Sequence, residues 1–153
     1  MSRFTFRLQT VLEHKQRLEE LAQLDHAQAQ AAQVREERSL GQLHDAEHRG
    51  FAELERQRFD GRLDIESLRF GMTYLDALKV QITRQEQVVD RVQRATETKR
   101  EQLVGAMQDR KALDRLRQKQ RTDFDRQQAR REAADQDEMV VMRHRHSTGG
   151  TYA

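Results

Sequence analysis

The chain of 153 residues contains no cysteine, no proline and no tryptophan, and only seven glycines. Without cysteine there is no disulfide framework and no thiolate zinc site, which excludes the small cross-linked scaffolds. Without proline, and with so little glycine, a barrel or sandwich is excluded as well, because such folds punctuate short strands with those residues. Helix interiors are where proline is not tolerated, so its complete absence points to long helices. Hydrophobic residues make up 35% of the chain, below the ~45–50% apolar content of ordinary globular proteins. That is too little to surround a compact core or to build a nucleotide-binding α/β enzyme. Long apolar runs are missing too: Met139-Val140-Val141-Met142 is four residues, against the ~20 needed to span a membrane. The opening Met1-Ser2-Arg3-Phe4-Thr5-Phe6-Arg7 lacks the apolar core of a secretory signal, so a cytoplasmic location is expected. Neither charge sign dominates, with 28 Lys+Arg against 26 Asp+Glu.

Glutamine, arginine, glutamate, alanine and leucine fill residues 8–134, the composition of a coiled coil or long helix. A seven-residue apolar period tests that reading. With Leu68 at an a position, the a series runs Leu68, Leu75, Ile82, Val89, Thr96, Leu103, Arg110, Arg117, Phe124. The d series runs Gly71, Leu78, Gln85, Val92, Lys99, Ala106, Leu113, Gln120. Ten of the seventeen are hydrophobic, against about six expected from background. The first half reads less cleanly. Leu8, Val11, Leu18, Ala22, Ala29 and Ala32 hold one frame, and Leu40, Leu43, Gly50 and Leu54 another. That offset predicts a stutter between Glu36 and Ser39.

Between the halves, Asp60-Gly61 is a turn signal and Asp64 a helix N-cap candidate. The expectation is an all-α, antiparallel two-helix coiled-coil hairpin. Its first helix spans about 4–58, its bend about 59–64 and its longer second helix about 64–142. Residues 1–145 then form one stalk domain, followed by a flexible tail over 146–153. At ~1.5 Å per residue the second helix outruns the first by roughly 35 Å, leaving its end unpaired.

That end is polarised. Residues 110–131 carry nine basic side chains and three acidic ones. A solvated helix face explains many such runs; binding to nucleic acid or to an acidic protein collar are the other readings. Only Phe124 is available there for base stacking, and no recognition motif is present. Near the bend, Phe51, Phe59, Phe70, Met72 and Tyr74 exceed what a narrow two-helix seam can hide. They either cap the bend or form a protein-binding patch. His44 and His48 share a helix face, as zinc ligands can, but a structural zinc takes four ligands and exposed polar positions account for the pair. No phosphate-binding glycine loop or nucleophile elbow occurs, so neither catalysis, cofactor nor metal is expected.

Several short motifs, in order, resemble the flagellar export protein family FliJ. Phe4-x-Phe6-x-Leu8-x-x-Val11-Leu12 is similar to its opening, and Tyr74-Leu75-x-x-Leu78-x-x-x-Ile82 to the start of its second coiled-coil helix. Lys99-Arg100-x-x-Leu103, Lys111-Ala112-Leu113-Asp114-Arg115-Leu116 and Asp137-Glu138 resemble its C-terminal pattern. The resemblance implies a non-enzymatic stalk of the flagellar type III export apparatus, needed for flagellum assembly and hence for motility and chemotaxis. It implies docking in the hexameric export ATPase, as the γ subunit does in rotary ATP synthases. It also implies contact with the membrane export gate FlhA and with export chaperones. Such a protein would lie at the cytoplasmic face of the membrane, peripheral through its partners, with no small-molecule substrate and no nucleic acid. Ring contact would fall to Phe4, Phe6, Leu8, Arg115, Arg117, Lys119, Arg121 and Arg126. Gate contact would fall to Phe51, Tyr74, Leu78, Gln81 and Gln85. A generic coiled-coil adaptor and a basic nucleic-acid-binding helix are the alternatives.

Overall fold

A computed structural model describes residues 3–62 and 64–148. Two helices account for almost all of them: α1, Gln9–Phe59, and α2, Ile65–Thr148. They pack against each other as an all-α helical hairpin. The first helix begins later than expected: residues 3–6 are non-helical with Phe6 buried, and Arg7 and Leu8 form a turn in which the Gln9 N–H donates to the Phe6 carbonyl at 3.1 Å. The second continues six residues beyond Met142, since neither proline nor glycine interrupts it before Thr148. Thus 146–148, expected in the tail, are helical, and 149–153 lie outside the described residues.

The turn follows the chemistry of its residues. Gly61 has φ +66°, a left-handed conformation that costs glycine little. Its N–H donates to the Arg58 carbonyl at 3.4 Å, and the Arg62 N–H donates to the Gln57 carbonyl at 3.1 Å. This pair of bonds is the Schellman ending of a helix. Asp64 then caps α2: its Oδ1 accepts from the Ser67 backbone N–H at 2.6 Å. That bond holds the Asp64 carboxyl below its ordinary value.

The chain divides into two compact units, one from Met1–Arg17 with Met107–Ala153 and one from Leu18–Ala106. Within the second, partners descend along one helix as they climb the other. A Cβ on Gly71 would meet Leu54 Cδ2 at 2.6 Å, and one on Gly50 would meet Leu75 Cδ2 at 2.8 Å. Further along, Gln85 Nε2 donates to the Glu36 backbone carbonyl at 3.1 Å and to its carboxylate at 2.7 Å. Lys99 Nζ lies 3.3 Å from Asp25 Oδ2. In the first unit Lys15 Nζ meets Asp109 Oδ2 at 3.2 Å, and the Phe4 and Phe124 rings stand 5.7 Å apart at 55°.

The expected α2 register is the observed one: every a and d position except Leu68 and Gln120 is buried or half-buried. On α1 the later expected frame, Leu40, Leu43, Gly50 and Leu54, is observed and the earlier one is not. The inward line of the helix is a single unbroken heptad, Leu12, Lys15, Glu19, Ala22, His26, Ala29, Gln33, Glu36, Leu40, Leu43, Glu47, Gly50, Leu54, Gln57. There is no stutter near Glu36, and Leu8, Val11 and Leu18 are exposed. Polar side chains hold seven of those inward places, four of them before Glu36, so in the first half of α1 apolar spacing alone points to the wrong stripe.

Candidate interaction surfaces

In the unit holding both ends of the described chain, the non-helical 3–8 segment lies on α2. Phe6 is buried there and Phe4 half-buried, while Leu8 is exposed. Two of the expected ring-contact residues are therefore engaged within the fold. Arg3, Phe4, Thr5, Phe6, Gln9, Arg117, Gln118 and Arg121 line a cleft of about 660 Å³. Residues 110–124, expected beyond the reach of the first helix, are thus partly covered by the N-terminal segment. From Ala129 to Arg145 every side chain is exposed.

Eight of the nine basic side chains of this stretch fall into two sets; the ninth, Arg131, is exposed and lies off the sector of both the paired and the outward cations. Arg110 Nη1 donates to Asp114 Oδ2 at 2.7 Å, Arg117 approaches Asp114 Oδ1 at 3.4 Å, and Arg121 approaches Asp125 at 3.9 Å. Lys111, Arg115, Lys119, Arg126 and Arg130 are exposed and make no ion pair among the described residues. At 100° per residue these five lie within a ~100° sector, opposite the inward positions Arg110, Leu113, Arg117 and Phe124. They form one cationic stripe, roughly 28 Å long at 1.5 Å per residue. Net charge over the whole stretch merges the two sets; the helical spacing of the outward cations separates them.

Around the turn the apolar side chains do not close into a cap. Phe59 is 88% exposed and Phe70 79%, with Ile65, Leu68, Met72, Tyr74 and Phe51 also exposed. A cleft of about 590 Å³ lies between Gly50, Glu53, Leu54, Gln57, Glu66, Ser67, Phe70, Gly71 and Tyr74. Of the expected gate-contact residues, Phe51, Tyr74 and Gln81 are on the surface. Leu78 is buried in the seam and Gln85 is bonded to Glu36 across it. Both serve helix packing. A sequence motif that mixes a and d positions with outward ones cannot show which of its residues a partner can touch.

His44 Nδ1 lies 3.8 Å from a Glu47 oxygen and His48 is exposed. Among the described residues no three histidine or acidic side chains gather as metal ligands. No described helix is long and apolar enough to cross a membrane.

Comparison with known proteins returns one family: the profile described as the flagellar FliJ protein matches residues 4–149, from the non-helical opening segment through the whole of both helices. No curated protein and no solved structure matches the chain. The match covers nearly all 153 residues and agrees with the helical hairpin already described. The chain belongs to the flagellar FliJ protein family.

Proposed function

We propose that this chain is a non-enzymatic stalk of the flagellar type III export apparatus, gripped by the export ATPase ring along its cationic stripe. Family membership supports a role in flagellar export. The observation behind the finer reading is the row Lys111, Arg115, Lys119, Arg126 and Arg130, aligned on the face of α2 turned away from its own partner segment. A row of unpaired cations on a stiff helix suits a collar lined with carboxylates. The ring would sense the stalk through unequal contacts with its six subunits and couple hydrolysis to export, with no bond made or broken on this chain. The exposed apolar surface at the turn, with Phe51, Tyr74 and Gln81, would meet the gate protein FlhA or an export chaperone. The protein would then act at the cytoplasmic face of the membrane, held there by partners.

Reversing Arg115, Lys119 and Arg126 to glutamate tests the stripe. Each exposed pair is worth about 0.2–1 kcal/mol, so the triple variant should bind the ATPase between about threefold and about 150-fold more weakly and lose ATPase stimulation. Helicity should be unchanged, because none of the three packs against the fold. Unaltered affinity at matched salt would remove the stripe from the interface. Salt-sensitive binding of duplex DNA in place of the ATPase would favour the nucleic-acid reading.

A further inference from the structure

Between residues 18 and 36 the helix α1 is inside out. Its inward line there is Glu19, Ala22, His26, Ala29, Gln33 and Glu36, two alanines among polar side chains. On the side turned away from α2, Leu21, Leu24 and Val34 are each more than half exposed, with Ala27, Gln28 and Ala31 exposed between them. At 100° per residue these six share one outward sector about 140° wide. In a chain that is 35% charged, the stretch 21–34 holds a single Asp, Glu, Lys or Arg. That residue, Asp25, lies off the sector and is bound to Lys99. The first charges met along the sector are Glu20 at one end and Arg35 at the other. Both lie within about 30° of its midline. Both are exposed, and neither makes an ion pair among the described residues. The point midway between them falls between Ala27 and Gln28.

We propose that this outward face of α1 docks on the same face of a second copy, antiparallel, about a two-fold axis between Ala27 and Gln28. A two-fold contact requires a surface complementary to itself, and this one is so in charge and in size. In that register Glu20 of each copy faces Arg35 of the other, and Leu24 faces Ala31, large against small. Ala27 meets its own counterpart beside the axis, which lets the helices approach closely. The two Gln28 amides, each both donor and acceptor, meet on the other side of it. A parallel pairing would set Glu20 against Glu20, Arg35 against Arg35 and Leu24 against Leu24, with the alanines left unfilled. Charge and size therefore select the antiparallel arrangement. Arg38, about one turn beyond Arg35, adds to the basic end. Arg17, about one turn before Glu20, is the unfavourable member, because it lies towards Arg38 of the other copy. From Glu20 to Arg38 the contact is roughly 27 Å long, short of a standard interface, which makes the association weak and concentration-dependent.

The test is the mass of the full chain in solution, by sedimentation equilibrium from micromolar to about 1 mM, the range of a contact this small. The chain should rise from its 18.1 kDa monomer towards the dimer. Glu20→Arg and Arg35→Glu each lose both cross-copy pairs and should weaken self-association about two- to thirtyfold. Their equimolar mixture, and the chain carrying both changes, should pair again, and Arg17→Gln should tighten the pairing. Cross-linking reads the direction, because the chain has no cysteine of its own. A lone Ala27→Cys should give a disulfide-linked dimer on oxidation. A lone Val34→Cys should not, because the two copies of residue 34 lie about 20 Å apart in this register. Every position changed is exposed, so circular dichroism should show the same helicity throughout. A mass fixed at 18.1 kDa over the whole range overturns the proposal. So does a dimer indifferent to both reversals, or cross-linking at residue 34 equal to that at residue 27. No ATPase is present in these measurements, so they stand or fall separately from the stalk reading.

Discussion

A Cβ on Gly50 would stand 2.8 Å from Leu75 Cδ2, whereas one on Gly41 or Gly105 would meet nothing within 4 Å. All three glycines are inside helices, where alanine is intrinsically better by about 0.8–1 kcal/mol. Gly41→Ala and Gly105→Ala should therefore each raise stability by roughly that amount in chemical denaturation. At Gly50 the same gain is opposed by overpacking, which costs about 1–3 kcal/mol where neighbours cannot move. Leu75 is 1% exposed and has nowhere to go, so Gly50→Ala should be destabilising; a gain equal to that of Gly41→Ala would show that the seam yields there. Acid acts on single residues too. Asp64 is held below its ordinary pKa by the Ser67 backbone N–H, Glu37 by hydrogen bonds from Gln33 and Gln93, Glu53 by Arg56 and Glu97 by Arg100. Groups lowered on folding contribute stability above their unfolded-state pKa and lose it as pH falls through the folded value. The melting temperature should accordingly drop as pH goes below about 4.5. Asn at 64 still caps the helix and cannot titrate, so Asp64→Asn should flatten part of that drop. An identical pH profile for the two proteins would separate the cap from the acid response.

At the scale of the helices, the question is why α2 could be read from its sequence and α1 only in outline. The inward line of α2 is aliphatic at Leu75, Leu78, Ile82, Val89, Val92, Leu103 and Leu113, so a seven-residue period stands out. Its polar members are satisfied locally or across the seam: Thr96 Oγ1 donates to the Val92 carbonyl and Gln85 to Glu36. On α1 the inward line carries Lys15, Glu19, His26, Gln33, Glu36 and Glu47, while Val11, Leu18, Leu21 and Leu24 face solvent. With one face half-polar and the other half-apolar, hydrophobic spacing loses its contrast and the true register emerges only from packing against α2. The Asp60-Gly61 turn and the Asp64 cap were legible because each depends on backbone chemistry local to a few residues. The cationic stripe was legible in composition, but its free and paired members separate only once Asp114 and Asp125 have been placed. Neighbouring substitutions check the α1 register. Leu12 is 0% exposed and Val11 is 43% exposed. Leu12→Ala should cost about 2–5 kcal/mol, against well under ~1 kcal/mol for Val11→Ala. Comparable losses at both positions would restore the frame that apolar spacing suggested.

For the molecule as a whole, the consequence of a seam this narrow is that large apolar side chains collect outside it. A two-helix hairpin buries one stripe per helix, and the turn has no third element to cover Phe59, Ile65, Phe70 and Tyr74. Exposed apolar surface of this kind is the mark of a binding site, and under the proposed function it is where the gate or a chaperone would dock. A sound test must leave the hairpin intact. Leu78 is therefore the wrong residue to change, because it is 5% exposed and its loss would damage the core that positions everything else. Phe51→Ala with Tyr74→Ala removes two partly exposed rings, and aromatic anchors are where binding energy concentrates, at about 2 kcal/mol or more each in a well-packed contact. The double variant should keep its helicity, bind the ATPase as the wild type does, and yet bind the gate protein at least about tenfold more weakly, with swimming impaired. Truncation at Leu78 alone should instead lower stability and weaken every partner together. If the Phe51/Tyr74 variant binds the gate normally and its cells swim normally, the apolar turn serves some other partner, and the gate contact has to be sought elsewhere on the protein.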